Sequence, residues 1–116
     1  MPATQYFEDL LLRYALFQQP FVISNWWISA HSDTSPTSAN ELWQRQLITW
    51  DNLYTNSADI AFPVATSGVF AMSVSLWDLI SGGSMLCWGV ITSTEVVSGQ
   101  QLMIPAGTVT LDVLNS

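Results

Sequence analysis

The sequence predicts a mainly β protein, an antiparallel β-sandwich of the jelly-roll type with one short N-terminal α-helix. Three observations favour this class. Residues 1–20 carry apolar side chains at helical spacing, whereas short apolar runs alternate with turn residues after that segment. Turn signals recur at near-regular spacing, as they do in sandwiches and barrels. Pro63 and Pro105 stand where strands would end, a position that proline tolerates. We therefore expect a helical arm at 1–20 and a β-sandwich domain at 21–116.

The first segment is predicted to be a helix that Thr4 begins and Pro20 ends. The Thr4 hydroxyl can accept an orphan amide proton of the first turn, and the residue before a proline avoids helical angles. Asp9 and Arg13 are four residues apart, a spacing at which opposite charges pair on a helix. An apolar stripe with helical spacing runs along the other side and consists of Phe7, Leu10, Leu11, Tyr14 and Phe17.

The remaining chain is predicted as strands separated by turns. β-Branched and aromatic residues favour pleated surfaces, and they concentrate in segments that polar or glycine-rich stretches bound. The polar loop at 31–40 is one such break. Gly82 and Gly83 form another, because glycine supplies the positive φ that tight turns need. The predicted strands are residues 21–30, 43–50, 58–62, 69–79, 85–91, 102–104 and 109–113.

Charge is scarce in this chain and strongly one-sided. Nine acidic residues face two arginines and no lysine, so the formal net charge is -7. Binding to nucleic-acid phosphates or to an anionic membrane surface needs a basic patch, and we expect neither. The composition is 49% hydrophobic and includes six tryptophans. That apolar mass exceeds what the core of one small domain requires, which favours contacts between chains.

One loop suggests a catalytic hypothesis. His31 and Asp33, with Ser29 or Ser32 as the nucleophile, are the residue types of acyl transfer. Such groups act by geometry and not by adjacency, and no Gly-x-Ser-x-Gly elbow accompanies them. We therefore favour a solvated loop histidine in a non-enzymatic protein, with a hydrolase as the alternative.

Metal and cofactor sites are not expected. The lone Cys87 excludes an internal disulfide and a thiolate cluster, and its apolar neighbours indicate inert packing. Asp51, Asp59 and Asp78 are candidate calcium ligands, but calcium takes ~6–8 oxygens, usually from closely spaced loop residues. These aspartates are distributed one per turn, so we interpret them as residues that close turns at strand ends.

Tryptophan is the unusual component of the composition. If Trp26 and Trp27 lie in a strand they face opposite sides, and one of them needs cover from the helix, a loop or a neighbouring chain. Aromatic residues are enriched at interfaces, which favours packing against another subunit over the alternative, stacking on a sugar ring. The residues predicted to bind a partner are Phe7, Leu11, Tyr14, Trp26, Trp27 and Trp43.

A series of strand-and-turn motifs runs through the second half of the chain. They are IAFPVAT at 60–66, VSLWD at 74–78, SGGSMLCWG at 81–89, VSGQ at 97–100 and IPAGTVTL at 104–111. Their order and spacing resemble those of a family of small tailed-bacteriophage virion proteins, loosely described as tail-fibre or minor structural proteins. The resemblance covers most of the chain, although surface residues differ in the strands at 25–30 and 42–50.

The resemblance implies a β-sandwich built into a virion, without catalytic residues. Two roles compete. The favoured one is a capsid cement or decoration protein that binds the major capsid protein and reinforces the shell through apolar contacts, because one compact domain lacks the long shaft of a fibre. The alternative is a tail or tail-fibre component whose surface tryptophans bind carbohydrate. In either role we expect a homo-oligomer, with a trimer favoured, and contacts with other virion subunits.

Overall fold

The computed structural model describes residues 1–111, and in that range the chain is mainly β with antiparallel pairing and one N-terminal α-helix, which confirms the predicted class. The strands and the helix follow the predicted order along the chain. The elements are α1 (Gln5–Phe17), β1 (Trp26–His31), a 3-10 turn (Ser38–Asn40), β2 (Gln46–Ile48), β3 (Ile60–Ala61), β4 (Val69–Trp77), β5 (Met85–Val96) and β6 (Met103–Ile104).

The strands form two open sheets that lie on one core. The larger sheet has the order β2-β1-β4-β5, and the smaller one pairs β3 with β6. In the larger sheet, Trp27 lies opposite both Leu47 of β2 and Trp77 of β4. The predicted hairpin between β4 and β5 is confirmed, with Gly82 and Gly83 at φ 67° and 71° in its turn. The order places β1 and β4 at the centre of the sheet.

The start of the helix is fixed to the edge of β5 by Thr4. Its hydroxyl oxygen accepts the Phe7 amide proton at 3.4 Å, which confirms the predicted N-cap, and the same hydroxyl donates to the Met85 carbonyl at 2.6 Å. The Thr4 amide also donates to the Leu86 carbonyl at 2.7 Å. The first turn of α1 is therefore tied to the sheet by both side chain and backbone.

The far end of the helix is less firmly held. The helix ends at Phe17, before the predicted stop at Pro20, because Gln18 adopts a left-handed conformation with φ 56° and its amide donates to the Tyr14 carbonyl. The predicted pair between Asp9 and Arg13 is not formed. Asp9 instead accepts a hydrogen bond at 2.8 Å from a glutamine one turn earlier in the helix.

The core lies between the two sheets and the first turns of the helix. Ile28, Phe62, Leu76 and Leu86 are completely buried in it. A row of edge-to-face aromatic contacts extends the core towards the helix and joins Phe7 to Phe21 and Trp26, and Trp26 to Trp50.

Several predicted strands have different limits. The strand predicted at 21–30 begins only at Trp26, because Phe21 packs on Phe7 of the helix while Val22 is exposed without a strand neighbour. The strand predicted at 43–50 shortens to Gln46–Ile48. In contrast, β5 continues past the predicted end at residue 91 to Val96.

The C-terminal strand predicted at 109–113 is only partly open to comparison. Within the described residues, Thr110 forms an isolated antiparallel bridge with Thr55, and the Leu111 amide donates to the Tyr54 carbonyl. Asp112 and Val113 of that prediction lie outside the described residues.

Candidate functional site

A cluster of completely buried polar residues lies on the β1–β4 face and consists of Ser29, His31, Ser73 and Ser75. We refer to it as the polar cluster. The prediction of a solvated loop histidine is wrong, because the segment after β1 folds back over this face. The Leu42 amide donates to the carbonyl of residue 30 at 2.8 Å. The returning segment thus covers His31, which is the last residue of β1.

A chain of hydrogen bonds runs through the polar cluster. Trp77 Nε1–H donates to Ser75 Oγ at 2.6 Å, and Ser75 Oγ lies 2.5 Å from His31 Nε2. His31 Nδ1 lies 2.7 Å from Asn40 Oδ1. Because the Asn40 oxygen only accepts, this network assigns the proton to Nδ1 and leaves Nε2 to accept from Ser75. Burial lowers the pKa of His31, although the Asn40 hydrogen bond and the Glu41 charge act in the opposite direction.

Ser75 contacts His31 and His31 contacts Asn40, in the same succession as the nucleophile, the base and the orienting residue of a nucleophilic triad. Ser75 and His31 are nevertheless fully buried, so a substrate carbonyl cannot approach the hydroxyl. The residues of the catalytic hypothesis also have other partners: Ser29 Oγ donates to Glu41 at 2.6 Å, and the Asp33 carbonyl accepts from a serine of β4. These contacts indicate that the polar cluster stabilises the fold.

An ion pair borders the polar cluster. Arg45 is only 4% exposed and holds Glu41 in a bidentate contact at 2.7 and 3.1 Å. Its Nη1 donates to the carbonyls of Leu79 and Gly82 at 2.8 and 2.7 Å, and its guanidinium lies 3.8 Å from the Trp77 ring centroid. Burial alone would raise the pKa of Glu41, but the hydrogen bonds from Arg45 and Ser29 outweigh it and hold that pKa below its usual value.

This ion pair was not found by sequence reasoning. The two residues are four positions apart, a spacing that is normally read as a helical pair, whereas here they flank an extended stretch before β2. The available signal was the scarcity of arginine, since the chain has two arginines and no lysine.

Asp51 and Asp78, two of the three candidate calcium ligands, close turns as predicted, whereas Asp59 contacts a segment 47 positions away. Asp51 accepts from the amides of Leu53 and Thr55. Asp59 accepts from a backbone amide at residue 106, and Asp78 accepts from one at residue 84. Among residues 1–111, the described side chains include no group of three or more His, Cys, Asp or Glu placed to hold a metal ion.

Cys87 is fully buried, which confirms the prediction of inert packing. Burial raises the pKa of its thiol to about 12. The nucleophilic thiolate form is therefore essentially absent at neutral pH.

The second half of α1 and the segment after it expose a run of large apolar side chains. Leu16 and Phe17 are 69% and 70% exposed, and Val22 is 85% exposed. Exposed apolar patches of this kind mark interaction sites on soluble proteins. We define the N-terminal apolar surface as Leu12, Tyr14, Leu16, Phe17 and Val22.

The six residues predicted to bind a partner have different surroundings. Phe7 is buried inside the protomer, and Trp26 is half-buried between Phe7 and Trp50. Tyr14 is about half exposed and belongs to the N-terminal apolar surface. Partner binding by this set stays a prediction. The remaining three residues are half-buried: Leu11, Trp27 and Trp43.

Among the cavities that residues 1–111 form, two contrast in character. The first has a volume of about 360 Å³ and is lined mainly by apolar residues, among them Val74 and Ile91, together with Thr108 and Thr110. The second has a volume of about 530 Å³ and lies between residues 38–45 and the turn that follows β4. Its lining combines Trp43 with polar and charged side chains.

Within residues 1–111, no helix is both long and apolar enough to span a bilayer. The chain matches the family model described as podophage GP4 fiber I protein gp80 over residues 2–112. A search of curated proteins returns no match.

Proposed function

Since the chain belongs to the podophage GP4 fiber I protein family, we propose that it serves as a non-enzymatic structural subunit of a phage tail fibre. The family match over residues 2–112 is the observation that carries this proposal. It supports the fibre alternative over capsid cement. A virion protein of this kind associates with other virion components.

The arrangement of the polar groups supports a structural role. The triad-like contact of Ser75 with His31 is sealed beneath the returning segment. The Glu41–Arg45 pair is bidentate, and Arg45 also donates to two backbone carbonyls. Buried polar networks with every member paired hold a fold in one arrangement. They do not present reactive groups to a substrate.

The N-terminal apolar surface supports assembly through α1. Phe17 and Leu16 lie on a helix whose only buried residue is Phe7, so residues 1–111 provide no covering layer for the second half of the helix. Burial of apolar area contributes roughly 25 cal/mol per Å² before the costs of association. We propose that another copy of this chain covers this surface and that the fibre subunit is a homo-oligomer.

The placement on the particle is tested by labelling purified virions with an antibody raised against this chain. Electron microscopy of the labelled particles is expected to show the label on fibres at the tail. Label distributed over the whole shell would contradict the fibre role and favour a cement protein.

The assembly surface is tested by measuring native mass over a range of protein concentrations. The wild-type chain is expected to form a discrete oligomer, and a Leu16→Ser, Phe17→Ser double variant to weaken its association at least about tenfold, which corresponds to 1.4 kcal/mol. Leu53→Ser is the matched control, because Leu53 is 74% exposed on a turn outside this surface. A wild-type chain that stays monomeric, or a control that dissociates equally, would contradict the proposal.

A further inference from the structure

A mixed polar and aromatic cleft lies beside the polar cluster, between residues 38–45 and the turn at 79–82. It has a volume of about 530 Å³, which falls in the range of roughly 300–1,000 Å³ typical of small-molecule sites. We call it the Trp43 cleft. Its lining includes Ser38, Glu41, Trp43, Gln44, Arg45 and Ser81.

One guanidinium fixes both walls of the Trp43 cleft. Arg45 binds Glu41 on its own wall through two hydrogen bonds, and it binds the carbonyls of Leu79 and Gly82 on the other. The turn that forms the second wall is further held by Asp78, which accepts the amide proton of residue 84 at 2.8 Å. The cleft is thus shaped before any ligand arrives, which lowers the entropic cost of binding.

The charges that line the cleft cancel each other. Glu41 and Arg45 are its acid and its base, and they are paired at 2.7 Å. The rest of the cleft-lining set is uncharged. A cleft with a neutralised ion pair gives no net preference for an anion or a cation, so the ligand that fits it is neutral.

Several polar groups of the cleft lack a hydrogen-bond partner within the part of the chain that the structure describes. Among residues 1–111, no hydrogen bond is formed by the hydroxyls of Ser38 and Ser81, by the side-chain amide of Gln44 or by the indole N–H of Trp43. These groups supply donors and acceptors for ligand hydroxyls. They line the cleft, where a hydrogen bond to a ligand replaces a hydrogen bond to water.

The aromatic wall is held in place from behind. The Trp43 ring packs on the fully buried Phe62 with centroids 5.6 Å apart, so its orientation is set by the core. An indole face carries negative electrostatic potential. It therefore attracts C–H groups that neighbouring oxygens make electron-poor.

We propose that the Trp43 cleft binds a neutral saccharide. A sugar ring combines a face of polarised C–H groups, which matches the Trp43 indole, with a rim of hydroxyls, which matches Gln44 and the two serines. This activity goes beyond the fibre-subunit role and does not rest on it, because the cleft lies within one protomer. The first cavity, which mainly apolar side chains line, lacks this combination.

The proposal is tested by saturation-transfer NMR on the full chain with glucose, galactose, mannose, rhamnose, N-acetylglucosamine and maltose as probes. At least one sugar is expected to bind with a dissociation constant in the millimolar range. Trp43→Ala is expected to raise that constant at least about tenfold. Trp88→Ala is the matched control, since Trp88 is exposed on β5 and does not line the cleft, and it should leave binding unchanged.

A second pair of variants keeps the test decisive if Trp43→Ala fails to fold. Gln44 is exposed, so Gln44→Ala is expected to fold normally and to raise the dissociation constant about two- to tenfold, the worth of one hydrogen bond. Gln100→Ala, on a distant exposed turn, should have no effect. Absence of transfer to every sugar, or transfer that survives both Trp43→Ala and Gln44→Ala, overturns the proposal. Neither result bears on assembly, which the Leu16 and Phe17 variant reports separately.

Discussion

The β1–β4 face buries polar side chains, whereas the second half of α1 exposes apolar ones. On the sheet face, hydroxyl and imidazole groups such as Ser75 and His31 are completely buried. On the helix, large apolar groups such as Leu16 and Phe17 are about two-thirds exposed. Both arrangements run against the average preferences of these residue types.

The difference lies in the partners that each region has within one chain. The polar cluster can be buried because its groups find hydrogen-bond partners, and a paired polar group avoids the desolvation penalty of an unpaired one. The helix end remains uncovered because no further layer of the described residues extends beyond the contact of Phe7 with Phe21. The first region stabilises the folded chain, and the second is the surface that we propose for association.

The largest expected effect comes from breaking the ion pair that borders the polar cluster. Arg45→Met leaves Glu41 as an unpaired, partly buried charge and removes the donor to two turn carbonyls. Loss of one partner of a buried ion pair costs about 3–5 kcal/mol. We expect the free energy of unfolding, measured by urea denaturation, to fall by that amount.

The chain offers a matched control in its other arginine. Arg13 is exposed on α1 and forms no ion pair among the described residues, so Arg13→Met should change the free energy of unfolding by no more than about 0.5 kcal/mol. Similar losses in the two variants would mean that the Arg45 contacts contribute little, and the contrast between the two regions would fail.

The sequence was informative about the helix and much less so about the polar cluster. Thr4 and the apolar spacing after it are local signals, and the helix formed where they placed it. His31 was misjudged because its burial depends on Ser75, 44 positions away, and on a loop that folds back. A polar loop composition describes the loop residues and carries no information about what the loop covers.

The same limit applies to the Trp43 cleft. Trp43 was singled out because of its residue type, but its neighbours in the cleft come from a distant turn that Arg45 holds. Contacts between residues 45 and 82 depend on the packing of β1 against β4, which periodicity within either strand does not encode. Sequence reasoning therefore identified the aromatic residue and missed the site around it.

A smaller effect is expected from acidification, which acts on the same face through His31. Burial lowers the pKa of His31 in the folded chain, whereas in the unfolded chain this pKa has its usual value of 6.5. Just below pH 6.5 the unfolded chain therefore takes up a proton at His31 while the folded chain remains neutral there. Stability is therefore lost as pH falls below 6.5 towards the folded pKa, by about 1.4 kcal/mol for each unit between the two values. Urea denaturation at successive pH values measures this slope.

His31→Gln identifies the source of the slope, because the chain has a single histidine. The variant should lose the decline that begins at 6.5. It should keep a second decline below about 4.5, where the unfolded chain protonates carboxyls such as Glu41 whose folded pKa is lowered. A slope near pH 6 that persists in the variant would refute the assignment to His31.

The smallest expected effect is that of Phe17→Ala, and the same substitution at Phe7 of the same helix, where a large loss is expected, provides its internal comparison. Phe17→Ala removes a ring that is 70% exposed, and at concentrations where the chain is monomeric it should change the free energy of unfolding by no more than about 0.5 kcal/mol. Phe7→Ala removes a ring that is buried against Phe21 and Trp26, and it should cost about 3–5 kcal/mol. The same chemistry in the same helix thus separates the end that belongs to the core from the end left for a partner. A large loss for Phe17→Ala in the monomer would show that the helix end already packs within its own chain, and the N-terminal apolar surface would then have nothing to offer another copy.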